Sequence, residues 1–440
     1  MTNRLNRRKF LQASSAFAAF NILPSGSQAV SPNGKLRTAH IGVGGMGGYD
    51  LNALSTHPHV EIAALCDVDL TRLAAAKEQR PHAQTYRDYR DMLSKLGDNI
   101  DAVIVSTPDH THAPATMMAL NAGQPVYCQK PLTHDIFEAR QLRKVAERSE
   151  RPTQMGINAQ SMAAYRNAVA VIRSGAIGKV SHVYAWCLKN WGYDGGPHQE
   201  AAPVPKTFEW DLWLGTAEWR PFVPEVYHPG IWRKLIDFGT GTLGDMGVHI
   251  FDPPYAALEL TFPKWAKTTC RPPTGIGHPE KNIVEYEFPG TKHTTDSLMW
   301  TWYDGAYAPP KNSDLGLPPD IEVPQHGSFI VGDEGQLLLP HIKEAQLFPQ
   351  EKFGDYQRPN LGNVDHYHQW VDACLGQGQT TASFSYGGPL TEALLLGVVA
   401  NRFPNTKLTW DAENLEVTNE VQANKLLRRQ YRDGFEVEHL

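Results

Sequence analysis

Short apolar runs alternate with amphipathic stretches through the first third of the chain. Thr38-Ala39-His40-Ile41, Val60 to Cys66, Asp101 to Ser106 and Pro125-Val126-Tyr127-Cys128 read as buried strands. Tyr49 to Ser55, and Ala113 to Ala122 closed by Gly123, read as helices between them. Strand and helix in alternation predict an α/β fold built on a doubly wound parallel sheet, whose ligands sit beyond the carboxyl ends of the strands. The punctuation Arg151-Pro152-Thr153-Gln154-Met155-Gly156 ends this part. Beyond it the period changes: Ile283 to Phe288 and Ser297 to Trp302 alternate with period two and read as antiparallel strands. The Pro-rich stretch Ala308 to Pro324 is expected to be a long loop, a lid or an oligomer contact. Asp365 is expected to cap a helix running to Leu375, Thr418 to Tyr431 reads as a further helix, and Gly434 to Leu440 as a closing segment.

Gly42-Val43-Gly44-Gly45-Met46-Gly47 lies between the first strand and the first helix, the setting a dinucleotide fingerprint requires. Gly42 turns the chain sharply, Gly44 lets the backbone approach a pyrophosphate, and Gly47 lets the helix pack on the strand. The helix N-terminus offers N–H groups and partial positive charge to phosphate. The second strand closes on Asp67, twenty residues past Gly47, where a carboxylate takes the adenosine ribose hydroxyls and repels a 2′-phosphate. NAD is therefore the expected cofactor, with NADP left open because Arg72 is close enough to contact a phosphate. Loops carrying Thr107-Pro108-Asp109-His110-Thr111-His112 and Gln129-Lys130-Pro131 follow the next two strands and converge on the same crevice. The expected cofactor contacts are Gly42, Gly44, Gly45, Met46, Gly47, Asp67, Thr107, Pro108, His110, His112, Gln129 and Lys130.

A chain of 440 residues, 41% hydrophobic and 20% charged, has the length for two domains and a buried core. A net charge of -6 without a basic stripe gives no reason to expect nucleic acid as a partner. Cys66, Cys128, Cys187, Cys270 and Cys374 show no paired spacing, so neither a disulfide framework nor a zinc site is indicated. His110 and His112 lack a third clustered ligand, and no metal is expected. The first 29 residues differ: Asn6-Arg7-Arg8-Lys9-Phe10-Leu11, then Ala13 to Leu23, then Ser27-Gln28-Ala29 ahead of Val30. This is the pattern of a twin-arginine signal peptide, its apolar run too short to remain as a membrane span. The expected location is periplasmic or otherwise exported. Such export carries folded proteins, and free nicotinamide cofactor is not supplied outside the cytoplasm. A cofactor would then travel bound and return to its starting oxidation state in every turnover.

At the glycine motif, at Thr107 to His112, at Cys128-Gln129-Lys130-Pro131-Leu132, at Ser174-Gly175-Ala176-Ile177-Gly178-Lys179 and at Gly241 to Asp252, the chain resembles the Gfo/Idh/MocA oxidoreductases. These pieces extend in order over most of the mature chain. The resemblance implies an N-terminal NAD(P)-binding Rossmann domain, residues 30–155, and a C-terminal α/β domain, residues 156–440, with a large open, mostly antiparallel sheet. It also implies a sugar or polyol substrate and assembly as a homodimer or homotetramer. One position departs from the pattern: the family's lysine usually follows a glutamate, and here Gln129 keeps the size and hydrogen-bonding reach without the charge.

Lys130, at a strand end, can hold a reacting hydroxyl or carbonyl oxygen by hydrogen bond and charge. Asp245 and His249 are four apart in a stretch that reads as one helix, so both project from one face. On the family's pattern His249 moves the hydroxyl proton and Asp245 binds substrate and orients the site. Trp186, Trp191, Trp210, Trp213, Trp219 and Trp232 fall in one stretch, and most are expected to pack in the core, with some free to stack on a sugar. Lys189, Tyr193, His228 and Arg233 are candidate partners for sugar hydroxyls. Three functions follow: a carbohydrate oxidoreductase with captive NAD; a hydrolase or lyase that oxidises, eliminates and re-reduces; and a non-catalytic carbohydrate-binding protein.

Overall fold

The computed structural model describes residues 34–440, so the twin-arginine pattern and the cleavage site before Val30 lie outside the described residues. The first part of the chain runs β1 (Leu36–Ile41), α1 (Met46–Leu54), β2 (Val60–Cys66), α2 (Leu70–Gln79), β3 (Gln84–Tyr86), α3 (Tyr89–Leu96), β4 (Ala102–Val105), α4 (Asp109–Asn121), β5 (Val126–Cys128), α5 (Ile136–Ser149) and β6 (Thr153–Met155). Its six strands pair in parallel in the order β3-β2-β1-β4-β5-β6. Winding therefore reverses between β1 and β4, and a ligand crevice opens there. The central strands are buried on both faces, which is why they read as unbroken apolar runs.

The expected loop Thr107 to His112 is shorter than its sequence implied, because α4 already begins at Asp109 behind Pro108. A proline just before a helix fixes an extended entry, and the acidic Asp109 in the first turn suits the helix dipole.

After α6 (Ala163–Arg173), the strands β7 (Val180–Cys187), β8 (Trp265–Thr269), β9 (Ile283–Pro289), β10 (Thr294–Asp304), β11 (His326–Gly332), β12 (Gln336–Pro340), β13 (Gln346–Phe348), β14 (Lys407–Asp411) and β15 (Glu416–Val417) assemble into a nine-stranded sheet in the order β13-β12-β11-β7-β10-β9-β8-β14-β15. Only β7 (Val180–Cys187) and β10 (Thr294–Asp304) pair in parallel; the other neighbours are antiparallel. Helices α7 (Gly241–Asp245) and α8 (Gly247–Ala257) pack on one face of this sheet through Phe251, Trp300 and Trp302. The Pro-rich segment covers part of the sheet: Ala308, Leu315 and Leu317 cluster with Trp186, Phe329 and Leu338. It is a packed flap on the sheet and lines none of the crevice.

From Asp365 onward the chain packs again on the first domain. Helix α9 (His366–Cys374), capped by Asp365 as expected, sets Tyr367 and Trp370 against Leu36, Ile104 and Tyr127. Helix α10 (Phe384–Ala400) packs along α5, with the buried pair Arg140–Glu392 between them. Thr418 to Tyr431 does not form the expected helix: beyond Glu416–Val417 there is one turn at Ala423–Leu426 and then irregular chain. Ala423 and Leu427 are its buried apolar residues, too few to make a helical stripe, and the segment is tied down by side chains instead. No helix among the described residues is long and apolar enough to cross a membrane.

Candidate active site

A cavity of about 420 Å³ opens at the switch point, within the range of small-molecule sites. Gly42, Gly44, Gly45, Met46, Asp67, Thr107, Pro108, His112, Gln129 and Lys130 line it, so ten of the twelve expected cofactor contacts meet there. Gly47 and His110 do not. Gly47 lies under the turn, where a Cβ would fall 2.1 Å from the Gly42 carbonyl oxygen. His110 is fully buried, its Nε2 2.9 Å from the Trp213 carbonyl oxygen and its ring against Phe238.

The turn is built for a close approach. Gly42 has φ +82°, and a Cβ on it would meet the Ser106 carbonyl oxygen at 2.6 Å. Asp67 stands at the end of β2 and accepts the amides of Val43 (2.8 Å) and Asp69 (2.9 Å), bracing the turn it faces. Burial pushes its carboxyl up, opposed by those amides and Arg72. Asp69 caps α2 and pairs with Arg72, whose side chain lies over Gly44. Arg72 thus lies over the glycine turn, and its flexible end must shift for a pyrophosphate to reach Gly44.

Thr107 lines the cavity, and its hydroxyl is buried without a partner. An unpaired buried hydroxyl at that position, beside a glycine turn and a braced carboxylate, fits a dinucleotide.

Lys130 follows β5 and reaches across to the second domain. Its Nζ donates to Asp245 Oδ1 at 2.6 Å and to the Asp245 carbonyl oxygen at 3.0 Å. Arg233 Nε lies 3.3 Å from the same Oδ1. Burial pushes the Asp245 carboxyl up, but the Lys130 ammonium and the Arg233 guanidinium outweigh it and hold the group well below the usual carboxylate range. His112 joins the two loops around Lys130, with Nε2 2.8 Å from the Thr107 carbonyl oxygen and Nδ1 2.8 Å from that of Pro131.

Asp245 and His249 are not on one continuous helix. Asp245 ends α7, Met246 breaks the run at φ -103°, and α8 starts at Gly247 with His249 in its first turn. The break lets the Asp245 carbonyl oxygen turn to Lys130. It also places His249 at a helix N-terminus, where a positive imidazole is disfavoured. Burial, with Lys130 and His341 beside it, pushes His249 well below its ordinary value, so it is neutral. Its Nδ1 is buried without a partner.

Gln129 faces the other way. Its Nε2 lies 3.0 and 2.9 Å from the two oxygens of Asp50, a fully buried carboxylate of α1. Ser106 Oγ (2.6 Å) and Tyr367 Oη (2.8 Å) also donate to it. Burial pushes the Asp50 carboxyl up to about 6 against these three neutral donors.

Several site residues carried no motif in the sequence. His341 follows β12 (Gln336–Pro340), its ring centroid 5.8 Å from that of His249 and its Nδ1 2.6 Å from the Tyr165 hydroxyl. Asp50 has no spacing relation to Gln129 that a sequence could reveal. Of the tryptophans, Trp186, Trp210, Trp213 and Trp232 are buried, and Trp213 and Trp232 line the cavity. Arg233 and His228 line it too, whereas Tyr193 stacks on His198. All five cysteines are free. Among the described residues no cluster of three or more His, Cys, Asp or Glu side chains could hold a metal.

Residues 36–157 match the model of an oxidoreductase family's NAD-binding Rossmann fold, and residues 168–260 that family's C-terminal alpha/beta domain. Inositol 2-dehydrogenase of Corynebacterium glutamicum strain R is 30% identical over 147 residues, 33% of this chain and 43% of that enzyme. A glycosyl hydrolase family 109 protein of Stenotrophomonas maltophilia is 31% identical over 192 residues, 41% of this chain and 42% of that protein. The chain thus matches less than half the length of either relative. An inositol dehydrogenase homolog from Azotobacter vinelandii, solved with NADH and myo-inositol, shares the fold at TM-score 0.57 and 17% identity, covering 86% of this chain and 98% of that one.

Proposed function

We propose, since the chain belongs to the Gfo/Idh/MocA oxidoreductase family, that it is an NAD-dependent oxidoreductase of a sugar, polyol or related carbohydrate. In this reading it is exported by the twin-arginine route with its dinucleotide bound and recycled within the catalytic cycle. The observation that carries the reading is the reach of Lys130 from the nucleotide-binding half to Asp245, one break away from a neutral His249. Bound in the crevice, the dinucleotide supplies the hydride acceptor and donor. Lys130, oriented by Asp245, holds the substrate oxygen and steadies the charge that gathers there. His249, kept neutral, takes the proton from that hydroxyl and returns it. Arg233 keeps Asp245 ionised, and His112 fixes the loop from which Lys130 projects.

The test is the near-ultraviolet band of reduced nicotinamide in the purified protein, followed while single sugars and polyols are added. A band that appears with one compound and vanishes with a second supports the reading. Retention of NAD with loss of turnover in Lys130→Ala and His249→Ala assigns the chemistry to those groups and excludes a purely carbohydrate-binding role. A native protein that binds no nicotinamide overturns it.

The likeness to a family 109 glycosyl hydrolase favours a second reading, in which oxidation of a ring carbon, elimination of the glycosidic substituent and re-reduction leave no net redox change. Cleavage of an aryl glycoside without added NAD would select it. We further propose a homodimer or homotetramer, to be checked by light scattering, and a periplasmic location, to be checked by cell fractionation.

A further inference from the structure

Residues 427–440 run between α5, α3 and the Asp211 to Gly215 segment, and Phe435 among them reaches the main cavity. Leu427 anchors the segment by accepting the Phe137 amide at 2.9 Å. Arg429 then enters a buried carboxylate site, 3.2 and 3.0 Å from Glu138 Oε1, and also donates to the His110 carbonyl oxygen. Tyr431 donates to the same Glu138 oxygen at 2.6 Å. Arg432 reaches the opposite wall, bonding Gly215 and pairing with Asp211. Arg90 of α3 holds the Gly434 carbonyl oxygen at 2.6 Å. Between these points two guanidinium groups lie over the ring of Phe435, Arg90 at 4.2 Å and Arg432 at 4.6 Å from its centroid.

Phe435 also lines the main cavity, with Asp67, Asp88, Tyr89 and Leu212. Asp67 marks the end of the crevice where a Rossmann fold holds the adenosine ribose. Resting on the reading that this cavity takes NAD, we propose that the C-terminal segment Leu427 to Leu440 is a clasp that retains the dinucleotide, with Phe435 as an aromatic wall at the adenosine end. The clasp joins both sides of the crevice: α3 and α5 on one, the Asp211 to Gly215 segment on the other. An aromatic ring in the lining offers a purine an apolar edge-to-face contact, and the two guanidinium groups over that ring keep it from turning away. An enzyme working where fresh cofactor is absent needs a slow release rate more than a fast exchange.

The deciding measurement is the release rate of bound NADH, read as loss of its fluorescence when the loaded protein is diluted into an NADH-consuming dehydrogenase. Phe435→Ala is expected to release at least about tenfold faster than the native protein, with Phe435→Leu between them, in keeping with the energy of an edge-to-face aromatic contact and the apolar area it buries. The stripped proteins are expected to unfold within about 2 °C of one another. Release at the native rate in Phe435→Ala overturns the proposal, and so does a loss confined to the stability of the stripped protein. Tryptic cleavage after Arg432 of the native chain gives a second reading that needs no variant: saturating NADH is expected to slow it, and an unchanged rate overturns the clasp. A native protein that takes up no NADH overturns the cofactor reading beneath it instead.

Discussion

Adjacent residues at the end of β5 each hold a buried carboxylate, and the two carboxylates behave in opposite ways. Lys130 pairs forward with Asp245 of the second domain; Gln129 bonds backward to Asp50 of the first. Asp245 has two cations and sits below the usual carboxylate range, whereas Asp50 has only neutral donors and is pushed up to about 6 by burial. The same division recurs elsewhere: Asp252, bonded by Gln160 and Tyr386, and Asp304, bonded by Asn282 and Trp302, are both pushed up to about 7 by burial. At Asp50, Asp252 and Asp304 hydrogen bonds from neutral groups do not offset the loss of hydration of a buried charge, whereas at Asp245 the Lys130 ammonium and the Arg233 guanidinium together do. The forward pair is thus a fixed ion pair whose Lys130 lines the crevice, and the backward cluster is a joint between α1, β5 and α9 that takes up a proton below about pH 6.

Removing Lys130 should show the largest difference between the two sides. Lys130→Ala is expected to lower kcat/KM by about a thousandfold, the scale of losing a charged donor at the reacting oxygen. Gln129→Leu, which spares Lys130, is expected to cost no more than about tenfold on the same scale. Comparable losses would mean that the Asp50 cluster takes part in turnover.

Stability separates the sides next. Lys130→Met leaves Asp245 buried with Arg233 alone, and a loss of about 3 kcal/mol is expected near neutral pH, the lower end for breaking a buried pair. Because the native carboxyl of Asp245 lies below its unfolded value, the pair's contribution is present above about pH 4 and fades as pH falls through the folded value. Urea unfolding of both proteins along a pH series would show the gap close on acidification.

Asp50 has the opposite sign. Its folded value lies above its unfolded one, so its protonated form stabilises the fold at low pH and that stability is lost as pH rises from about 4 to about 6. A shift of this size corresponds to about 3 kcal/mol. Native protein is expected to lose that much more than Asp50→Asn over this window in denaturant titrations. Parallel curves would show that Asp50 is ionised at no cost.

How much of this was legible in the sequence follows from the range of each interaction. The glycine turn, Asp67 and the β5 loop were readable because each acts within one strand-turn-helix unit, and the parallel sheet followed from unbroken apolar runs. Asp245 and His249 were found through a motif, but the break at Met246 was not, since Asp245-Met246-Gly247-Val248-His249 carries no proline and reads as helix. Asp50, His341 and Phe435 gave no signal: each meets the site through a contact tens to hundreds of residues distant in the chain. The tail was misread as a helix because its order comes from Arg429 entering the Glu138 site, and helical spacing says nothing of such an anchor.

Gln129→Glu brings the comparison to a single atom. The change restores the residue that the family pattern usually has before the lysine, and it sets a second carboxylate against Asp50, whose oxygens now lie 2.9 and 3.0 Å from the Gln129 amide nitrogen. Two carboxylates at that distance cannot both ionise, so one proton is shared and its release is pushed to higher pH. The pair therefore folds with an extra proton, which makes the variant most stable in mild acid and less stable as pH rises. An expected loss of about 2 kcal/mol relative to native near pH 8, shrinking towards zero near pH 5, would follow from one such shared proton. Thermal unfolding at the two pH values checks it. If Gln129→Glu is instead as stable as native at both, Asp50 has moved away from position 129. The neutral glutamine would then be incidental, not the counterpart of a carboxylate that this chain carries on α1.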